Sequence, residues 1–511
     1  MSEEQRGPFS ELEEATIHDL QAAMASGQLT SQRLTEMYSE RIAKLDQSGP
    51  MLRSVIEVNP DALDIARQLD EERQTRGIRG PLHGIPILLK DNIATLDKMQ
   101  TTAGSLALVG SRPPHDAFVA QKLREAGAVL LGKANLSEWA NWRSTTSSSG
   151  WSARGGQTRN PYVLDRTACG SSSGSAVAIA ANLAAASLGT ETDGSIICPA
   201  TSNGLVGIKP TVGLTSRAGV IPISHSQDTV GPFGRTVTDA AIVLGAIVGV
   251  DAHDAVTQAS TGKFYNDYTQ FLDVQGLRGA RIGVARQTYF GYNSKSDAIA
   301  EAAIGILRSL GAEIIDPANI PTSEQMASSD TELTVLLHEF KANLNAYLAT
   351  LTDTAIHSLA DLIAFNEIHA AEEMPYFGQE LFVKSQETAS LEDSRYLAAL
   401  ADNHRLARQE GIDAVLNEYT LDALVMPSGG PSWCIDLITG DHTIGGSEQA
   451  AALAGYPLIS VPAGFTFDLP VGITFLGRAY SEPTLIKFAY AFEQATKVRR
   501  VPRYLPTTPQ F

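Results

Sequence analysis

The chain has 511 residues, of which 43% are hydrophobic and 19% are charged, a composition typical of globular proteins. Its formal net charge of −18 at pH 7 argues against nucleic acids and anionic membranes as binding partners. No apolar run approaches the roughly 20 residues of a membrane-spanning helix, so we expect no membrane association.

Short apolar strands alternate with helices in the first part of the chain. Helices are predicted from Thr30 or Ser31 to about Leu45, from Pro60 to near Gly77 and from Asp116 to Ala126. Strands are predicted at Leu52–Val58, Leu82–Leu89 and Ala128–Leu131. This alternation indicates an α/β fold.

The region from Trp139 to Ala168 interrupts the alternation, because it is rich in Ser, Thr, Gly, Asn and Arg and has few aliphatic residues. An irregular stretch of this length inside a domain is usually functional or disordered, and its three tryptophans favour an ordered segment. The run Ala176–Ala186 that follows is small and apolar, which predicts a helix buried on every side.

The second half of the chain returns to the α/β pattern around a long helical stretch. Helices are predicted at Thr236–Val248, Lys295–Leu310 and Pro483–Lys497, and strands at Arg281–Ala285, Ala312–Asp316, Asp422–Met426, Leu458–Pro462 and Val471–Phe475. Between residues 323 and 419 apolar residues recur at helical spacing, for example Leu333, Leu336, Leu337, Phe340 and Leu344. We interpret this stripe as core packing, and a helical cap over a functional site is the alternative.

These elements predict one large α/β domain over residues 10–505, with a helical insertion or cap at about 323–419. Residues 1–9 and 506–511 are predicted to be flexible termini. The N-terminal residues lack the features of a signal peptide, and an odd, sparse set of cysteines (Cys169, Cys198 and Cys434) suits buried thiols in a reducing compartment. The sequence therefore predicts a cytoplasmic monomer or homodimer.

Two glycine-flanked serine loops are the most informative feature of the sequence. They are Cys169-Gly-Ser-Ser-Ser-Gly-Ser175 and Gly189-Thr-Glu-Thr-Asp-Gly-Ser195, which set Ser171 and Ser195 24 residues apart. Glycine beside serine permits a bent backbone in which a hydroxyl and several N–H groups face one small ligand. A flexible linker is disfavoured because an apolar helix follows, and a phosphate-binding loop would need a lysine after Gly174. A non-catalytic anion-binding module is the weakest alternative.

A serine nucleophile needs a base, because a free hydroxyl is hardly ionised at neutral pH. Lys90 is the candidate base, since it ends an apolar strand where α/β sheets place ligands, and burial would favour its neutral form. The alternatives are that Lys90 is a charged residue facing solvent, and that His225 or a cysteine takes part instead. No Cys/His pair has metal-ligand spacing, so we expect neither a metal nor a cofactor.

Lys90 in Gly84-Ile-Pro-Ile-Leu-Leu-Lys-Asp-Asn92, the two serine loops and Gly207-Ile-Lys-Pro-Thr-Val-Gly-Leu214 together resemble the amidase signature family. The resemblance covers about residues 15–500 and implies a mixed, mostly parallel twisted central sheet with helices on both faces. It also implies amide hydrolysis through an acyl-enzyme. In that scheme Ser195 is the nucleophile, Ser171 follows a cis peptide bond and relays the proton, and Lys90 is the base.

The resemblance implies supporting roles for neighbouring residues. The oxyanion hole would consist of the backbone N–H groups of Thr192, Asp193, Gly194 and Ser195. Ser172 would support Lys90 by hydrogen bonding from outside the catalytic triad. Gly170, which lacks a Cβ, would remove a clash at the cis bond.

The sequence departs from the family pattern at Asp193, where the family often has glycine, and at Ser172-Ser173, where it often has Gly-Gly. A carboxylate beside the oxyanion site would be unfavourable. We therefore expect the Asp193 side chain to point away from that site and to hydrogen-bond to neighbouring backbone.

Several stretches outside these motifs resemble the bacterial peptide amidases within the family, among them Leu136–Asn141, Gly150–Tyr162 and Phe377–Leu381. Such enzymes remove ammonia from the C-terminal carboxamide of a peptide. The predicted substrate is therefore a small peptide amide or another carboxamide. The alternatives are fatty-acid, aryl or small aliphatic amides and, less favoured, the role of the amidase-type subunit in a tRNA-dependent amidotransferase.

Overall fold

Eleven strands form one central sheet in the computed structural model, which describes residues 11–509. Numbered along the chain with two strands outside this sheet, the strands are β1 (Val55–Val58), β2 (Pro86–Lys90), β3 (Val129–Ala134), β4 (Trp151–Ser152), β5 (Gly156–Gln157), β6 (Ala186–Glu191), β7 (Val206–Lys209), β8 (Thr229–Gly234), β9 (Arg281–Val284), β10 (Glu313–Ile315), β11 (Ala423–Pro427), β12 (Leu458–Thr466) and β13 (Leu469–Leu476). Strands β4 and β5 form a separate two-stranded ladder.

The α-helices of the described chain surround this sheet. They are α1 (Ile17–Ala25), α2 (Ser31–Arg41), α3 (Ala62–Arg76), α4 (Phe118–Glu125), α5 (Ser173–Ala180), α6 (Ile197–Ser202), α7 (Val237–Ile247), α8 (Ser294–Ser309), α9 (Ser323–Ser328), α10 (Thr331–Leu348), α11 (Leu359–Ile368), α12 (Ala370–Glu373), α13 (Glu380–Gln386), α14 (Ser394–His404), α15 (Asp413–Glu418), α16 (Gln449–Ala454) and α17 (Glu482–Thr496). Thr30 caps α2 as predicted, since its side chain accepts the N–H of Arg33.

The sheet is mixed, as expected, and runs β1-β3-β2-β6-β8-β7-β12-β13-β11-β9-β10. Parallel pairing joins β3 to β2, β2 to β6, β11 to β9 and β9 to β10, and the remaining neighbours are antiparallel. The sheet has more antiparallel pairs than the alternation of strands and helices predicts, because some successive strands are joined by very short turns. Phe467 and Asp468, with φ of 50° and 63°, form the tight turn between β12 and β13.

Helices cover both faces of the sheet. Successive residues of β11 point to opposite faces, as a strand requires. Ala423 and Val425 pack in a cluster with α8 and α17, whereas Leu424 and Met426 pack in another cluster with α15 and α16. Alternating strand residues thus divide the apolar core into two layers, one on each side of the sheet.

One sequence prediction about local structure is corrected, and one strand was not predicted. The apolar run Ala176–Ala186 is not one helix, because α5 ends near Asn182, whose φ of 57° is left-handed, and β6 begins at Ala186. An unbroken apolar run has no periodicity that separates a buried helix from a buried strand. Strand β8 was not predicted at all, because Gly231, Pro232 and Gly234 have low strand propensity.

Between β10 and β11 the described chain contains helices and connecting segments only, from α9 to α15. The apolar stripe of α10 is largely core, since Leu336, Phe340 and Leu344 are buried in one cluster with Phe382 of α13. That residues 323–419 form an insertion within one amidase domain stays a proposal. Of the predicted flexible termini, residues 1–9, 510 and 511 lie outside the described residues.

Cys169 and Cys198 form a disulfide, which corrects the expectation of unpaired thiols. Cys169 begins the first serine loop, and Cys198 lies in α6 after the second. The fold brings these loops together, so that the Cα atoms of the two cysteines are 5.9 Å apart. The spacing of the cysteines in the sequence did not predict this contact. Within residues 11–509, none of the helices is long and apolar enough to cross a membrane.

Candidate active site

The structure brings Lys90 and Ser171 together at the C-terminal end of β2. Lys90 Nζ lies 2.7 Å from Ser171 Oγ and 2.8 Å from Thr190 Oγ1, and it donates to the Thr190 carbonyl at 3.3 Å. Both Lys90 and Ser171 are fully buried. The position at the end of a buried strand agrees with the sequence argument, and Thr190 is a partner that the argument missed.

Burial is the main reason why the amine of Lys90 is easily neutralised. Because the surrounding protein withholds water from the charged form, the pKa of Lys90 falls from 10.5 to about 7. The carboxylates of Asp228 and Glu191 act in the opposite direction and are too weak to offset the burial. At neutral pH a large share of Lys90 therefore carries a lone pair that can accept a proton.

The first serine loop has the predicted backbone. The Gly170–Ser171 peptide bond is cis. Ser172 does not contact the lysine directly: its hydroxyl donates to the Thr190 carbonyl at 3.0 Å, and Thr190 in turn contacts Lys90. The Ser172 N–H donates to the Ser195 carbonyl at 3.2 Å, which joins the two serine loops.

The second serine loop leads into α6 and is organised by Glu191. The buried carboxylate of Glu191 accepts the N–H groups of Ile196 and Ile197 at 2.7 and 2.9 Å, and also that of Gly194. A carboxylate at a helix N-terminus is favourable, because it satisfies free N–H groups and the helix dipole. Gly194 adopts φ of +77°, and a Cβ there would lie 2.9 Å from Glu448 Oε1.

Asp193 does not point away from the site, so that expectation is corrected. Its side chain faces the cavity beside Ser195 and hydrogen-bonds to Glu332, a residue of α10. Asp193 is exposed to the cavity. The protein groups that replace water around its carboxyl, together with the charges of Glu332 and Glu448, raise the pKa of Asp193 well above its ordinary value. A proton shared by the pair removes the repulsion that two adjacent carboxylates would suffer.

Two further carboxylates hold the surroundings of the site, and sequence reasoning found neither. Asp228 accepts the Thr192 hydroxyl at 2.6 Å and the Ile223 and Ser224 N–H groups at 2.8 and 2.9 Å. The buried Glu339 of α10 accepts the Ser224 hydroxyl at 2.5 Å. Because α10 is more than 130 residues from the serine loops, no local motif links them.

A cavity of about 470 Å³ opens beside Ser195. Its lining residues are Ala140, Asn141, Trp142, Ser144, Thr145, Ser147, Gly170, Thr192, Asp193, Ser195, Ile223, Glu332, Leu333, Leu336, Leu381, Asp441 and Thr443. None of these residues is basic. The volume is in the range of small-molecule sites, and the wall combines apolar side chains with carboxyl and hydroxyl groups.

The other candidate catalytic residues from the sequence lie away from Lys90 and Ser171 or make other interactions. His225 does not line the cavity that contains Ser195, and its ring is 3.3 Å from Glu339 Oε1. Cys169 is held in the disulfide, and Cys434 is exposed. Over residues 11–509, no group of three or more His, Cys, Asp or Glu side chains is arranged to hold a metal ion.

Similarity to known proteins identifies the chain as a hydrolase that acts on amide carbon–nitrogen bonds. The chain belongs to the amidase family, whose model matches residues 33–486. The native peptide amidase from Stenotrophomonas maltophilia is 54% identical with a TM-score of 0.93, covering 97% of this chain and 100% of that one. A probable amidase of Arabidopsis thaliana is 46% identical over 503 residues, 97% of this chain and 92% of the relative. A glutamyl-tRNA(Gln) amidotransferase subunit of Halorhodospira halophila is 33% identical over 500 residues, 95% of this chain and 98% of the relative.

Proposed function

We propose that this amidase hydrolyses the C-terminal amide of peptides and releases ammonia through an acyl-enzyme on Ser195. The observation that carries the proposal is the 2.7 Å contact between the Lys90 amine and the Ser171 hydroxyl, next to the loop that bears Ser195. A buried lysine with a pKa of about 7 is a suitable base for a serine hydroxyl.

In the proposed acylation step, Ser195 Oγ attacks the amide carbon and its proton passes to Ser171, whose own proton passes to Lys90. The backbone N–H groups of Thr192, Asp193 and Gly194 stabilise the oxyanion, although Gly194 must share its N–H with Glu191. The carbon–nitrogen bond then breaks, and the proton returns from Lys90 through Ser171 to the leaving ammonia. Water attacks the ester by the same route and leaves the peptide carboxylate.

The cavity supports an uncharged carboxamide as substrate. Asp193, Glu332 and Asp441 line it without a basic side chain, so an anionic ligand would meet like charge whenever these carboxyls ionise. The product of the reaction is itself a carboxylate, and its release is thereby favoured. The similarity to the Stenotrophomonas peptide amidase favours peptide amides over fatty-acid, aryl or small aliphatic amides.

The amidase-type component of a tRNA-dependent amidotransferase is the second candidate, because relatives of that kind are 33–34% identical along most of the chain. Such a component is expected to depend on partner proteins. Ammonia release from peptide amides by the isolated chain would favour the peptide amidase.

The proposal is tested by measuring ammonia release from a matched set: an amidated peptide, its free acid, an amino-acid amide and a long-chain fatty amide. We expect the amidated peptide to be the best substrate and internal peptide bonds to stay intact. A fatty amide that reacts faster than every peptide amide would overturn the proposed substrate.

Two buried lysines provide a matched control for the base. Lys90→Met should lower kcat/KM at least about 10³-fold, in the range of general-base catalysis. Lys133, also fully buried, bonds instead to the Ile93 carbonyl and Thr101, so Lys133→Met should retain activity per folded molecule. Equal losses in the two variants would show that the loss reflects a buried lysine in general.

The cytoplasmic location and the monomeric or homodimeric state stay predictions. The disulfide between Cys169 and Cys198 removes the argument that rested on unpaired thiols. Fractionation of the producing cells and the mass of the purified protein in solution would test both.

A further inference from the structure

Leu333 of α10 is an apolar side chain with an unusual environment. It is 41% exposed, yet it lies in the concave wall of the cavity that contains Ser195. Apolar side chains from other segments share this wall, namely Trp142, Ile223, Leu336 and Leu381. Apolar residues from four separate segments thus line the same cavity.

This apolar wall is fixed close to the nucleophile. Glu332, the residue before Leu333, hydrogen-bonds to Asp193, two residues before Ser195. The Glu332 carboxyl is also held by the side-chain amides of Gln227 and Gln449 at 3.0 and 3.1 Å. The start of α10 is therefore tied to the nucleophile loop through Asp193 and to two other segments through Gln227 and Gln449.

The part of the wall that contains Leu381 is also anchored by hydrogen bonds. The Leu381 N–H donates to the Arg143 carbonyl at 3.2 Å. The neighbouring Glu380 accepts the Ser144 hydroxyl at 2.8 Å and the Thr145 N–H at 2.6 Å. A wall supported in this way is organised before a ligand enters, which is what a selective pocket requires.

We propose that the wall formed by Trp142, Ile223, Leu333, Leu336 and Leu381 binds the side chain of the residue that carries the scissile amide. The substrates would then be peptides that end in an apolar amide of leucine, methionine or phenylalanine size. Acidic terminal residues are disfavoured, because their carboxylate would enter a cavity lined by Asp193, Glu332 and Asp441. The inference rests on the proposed peptide amidase function and names its substrate class.

Selectivity between two matched dipeptide amides tests the proposal. Burying a leucine side chain should raise kcat/KM for alanyl-leucinamide at least about 10-fold over alanyl-glycinamide. Leu333→Ala should lower this ratio roughly 5-fold, since one side of the wall is lost. Leu333 is not part of the buried core, so this variant should fold. Leu397→Ala is the matched control, because Leu397 is an exposed leucine of α14 that does not line the cavity.

The same comparison is made with 4-methylpentanamide and acetamide, which lack a peptide group. A ratio near one in the unmodified protein, or a ratio that Leu333→Ala leaves unchanged, overturns the apolar wall while ammonia release from peptide amides still supports the function. Selectivity that is seen only with the simple amides overturns the peptide substrate and retains the wall. Absence of ammonia release from all four compounds overturns both.

Discussion

The pH dependence of ammonia release should follow the ionisation of Lys90. Burial lowers the pKa of Lys90 from 10.5 to about 7. At pH 7.5 this raises the neutral fraction from roughly 0.1% to roughly three quarters, a gain of about 700-fold in active base. Because the neutral amine accepts the proton, kcat/KM should rise with pH through about 7 and then reach a plateau.

The assay is the initial rate of ammonia release from an amidated peptide, well below its KM, between pH 5 and 9, with stability checked at each pH. Asp228→Asn removes a charge that favours the protonated lysine, so the midpoint should shift to lower pH. Asp239→Asn is the control, since Asp239 is a buried residue of α7 that accepts the Ile17 N–H at the start of α1 and does not act on Lys90. A rate that keeps rising up to pH 9 without a plateau, or a midpoint unmoved by Asp228→Asn, would contradict this prediction.

Three more experiments probe the surroundings of the site. Gly194→Ala should lower kcat roughly 10-fold, because it places a Cβ against Glu448 at a positive φ. Gly262→Ala is the control, since Gly262 has nearly the same φ and open space around it, and its kcat should not change. Equal kcat values for the two variants would contradict this prediction. Replacing Cys169 and Cys198 with serine should reduce the free energy of unfolding in urea by about 2–4 kcal/mol, and an unchanged value would count against the disulfide. Thr190→Val removes an acceptor of Lys90 and should lower kcat/KM at least about 5-fold with little change in stability; full activity would exclude this positioning role.

The sequence was most informative where chemistry depends on a few residues at fixed positions. The strand ending at Lys90 and the cis bond before Ser171 both occur as predicted, and the lysine and serine are in contact. These features have local causes, such as an apolar strand and glycine-rich loops. The catalytic roles of Lys90, Ser171 and Ser195 stay predictions.

The sequence was least informative where distant segments meet. The pairing of Asp193 with Glu332 joins residues 139 positions apart, and only the three-dimensional path of α10 brings them together. The Cys169–Cys198 disulfide was missed for the same reason. Strand β8 was missed because Pro232 is rare in central strands, and tertiary packing overrides that preference here.

Acid-quenched turnover followed by mass spectrometry tests whether Ser195 carries the acyl group of a peptide amide. We expect the mass of the protein to rise by that of the acyl peptide, with the adduct on the fragment that contains Ser195. The adduct and the ammonia should both be lost in Ser195→Ala. An adduct on Ser171 or Cys434, or undiminished ammonia release by Ser195→Ala, would contradict it.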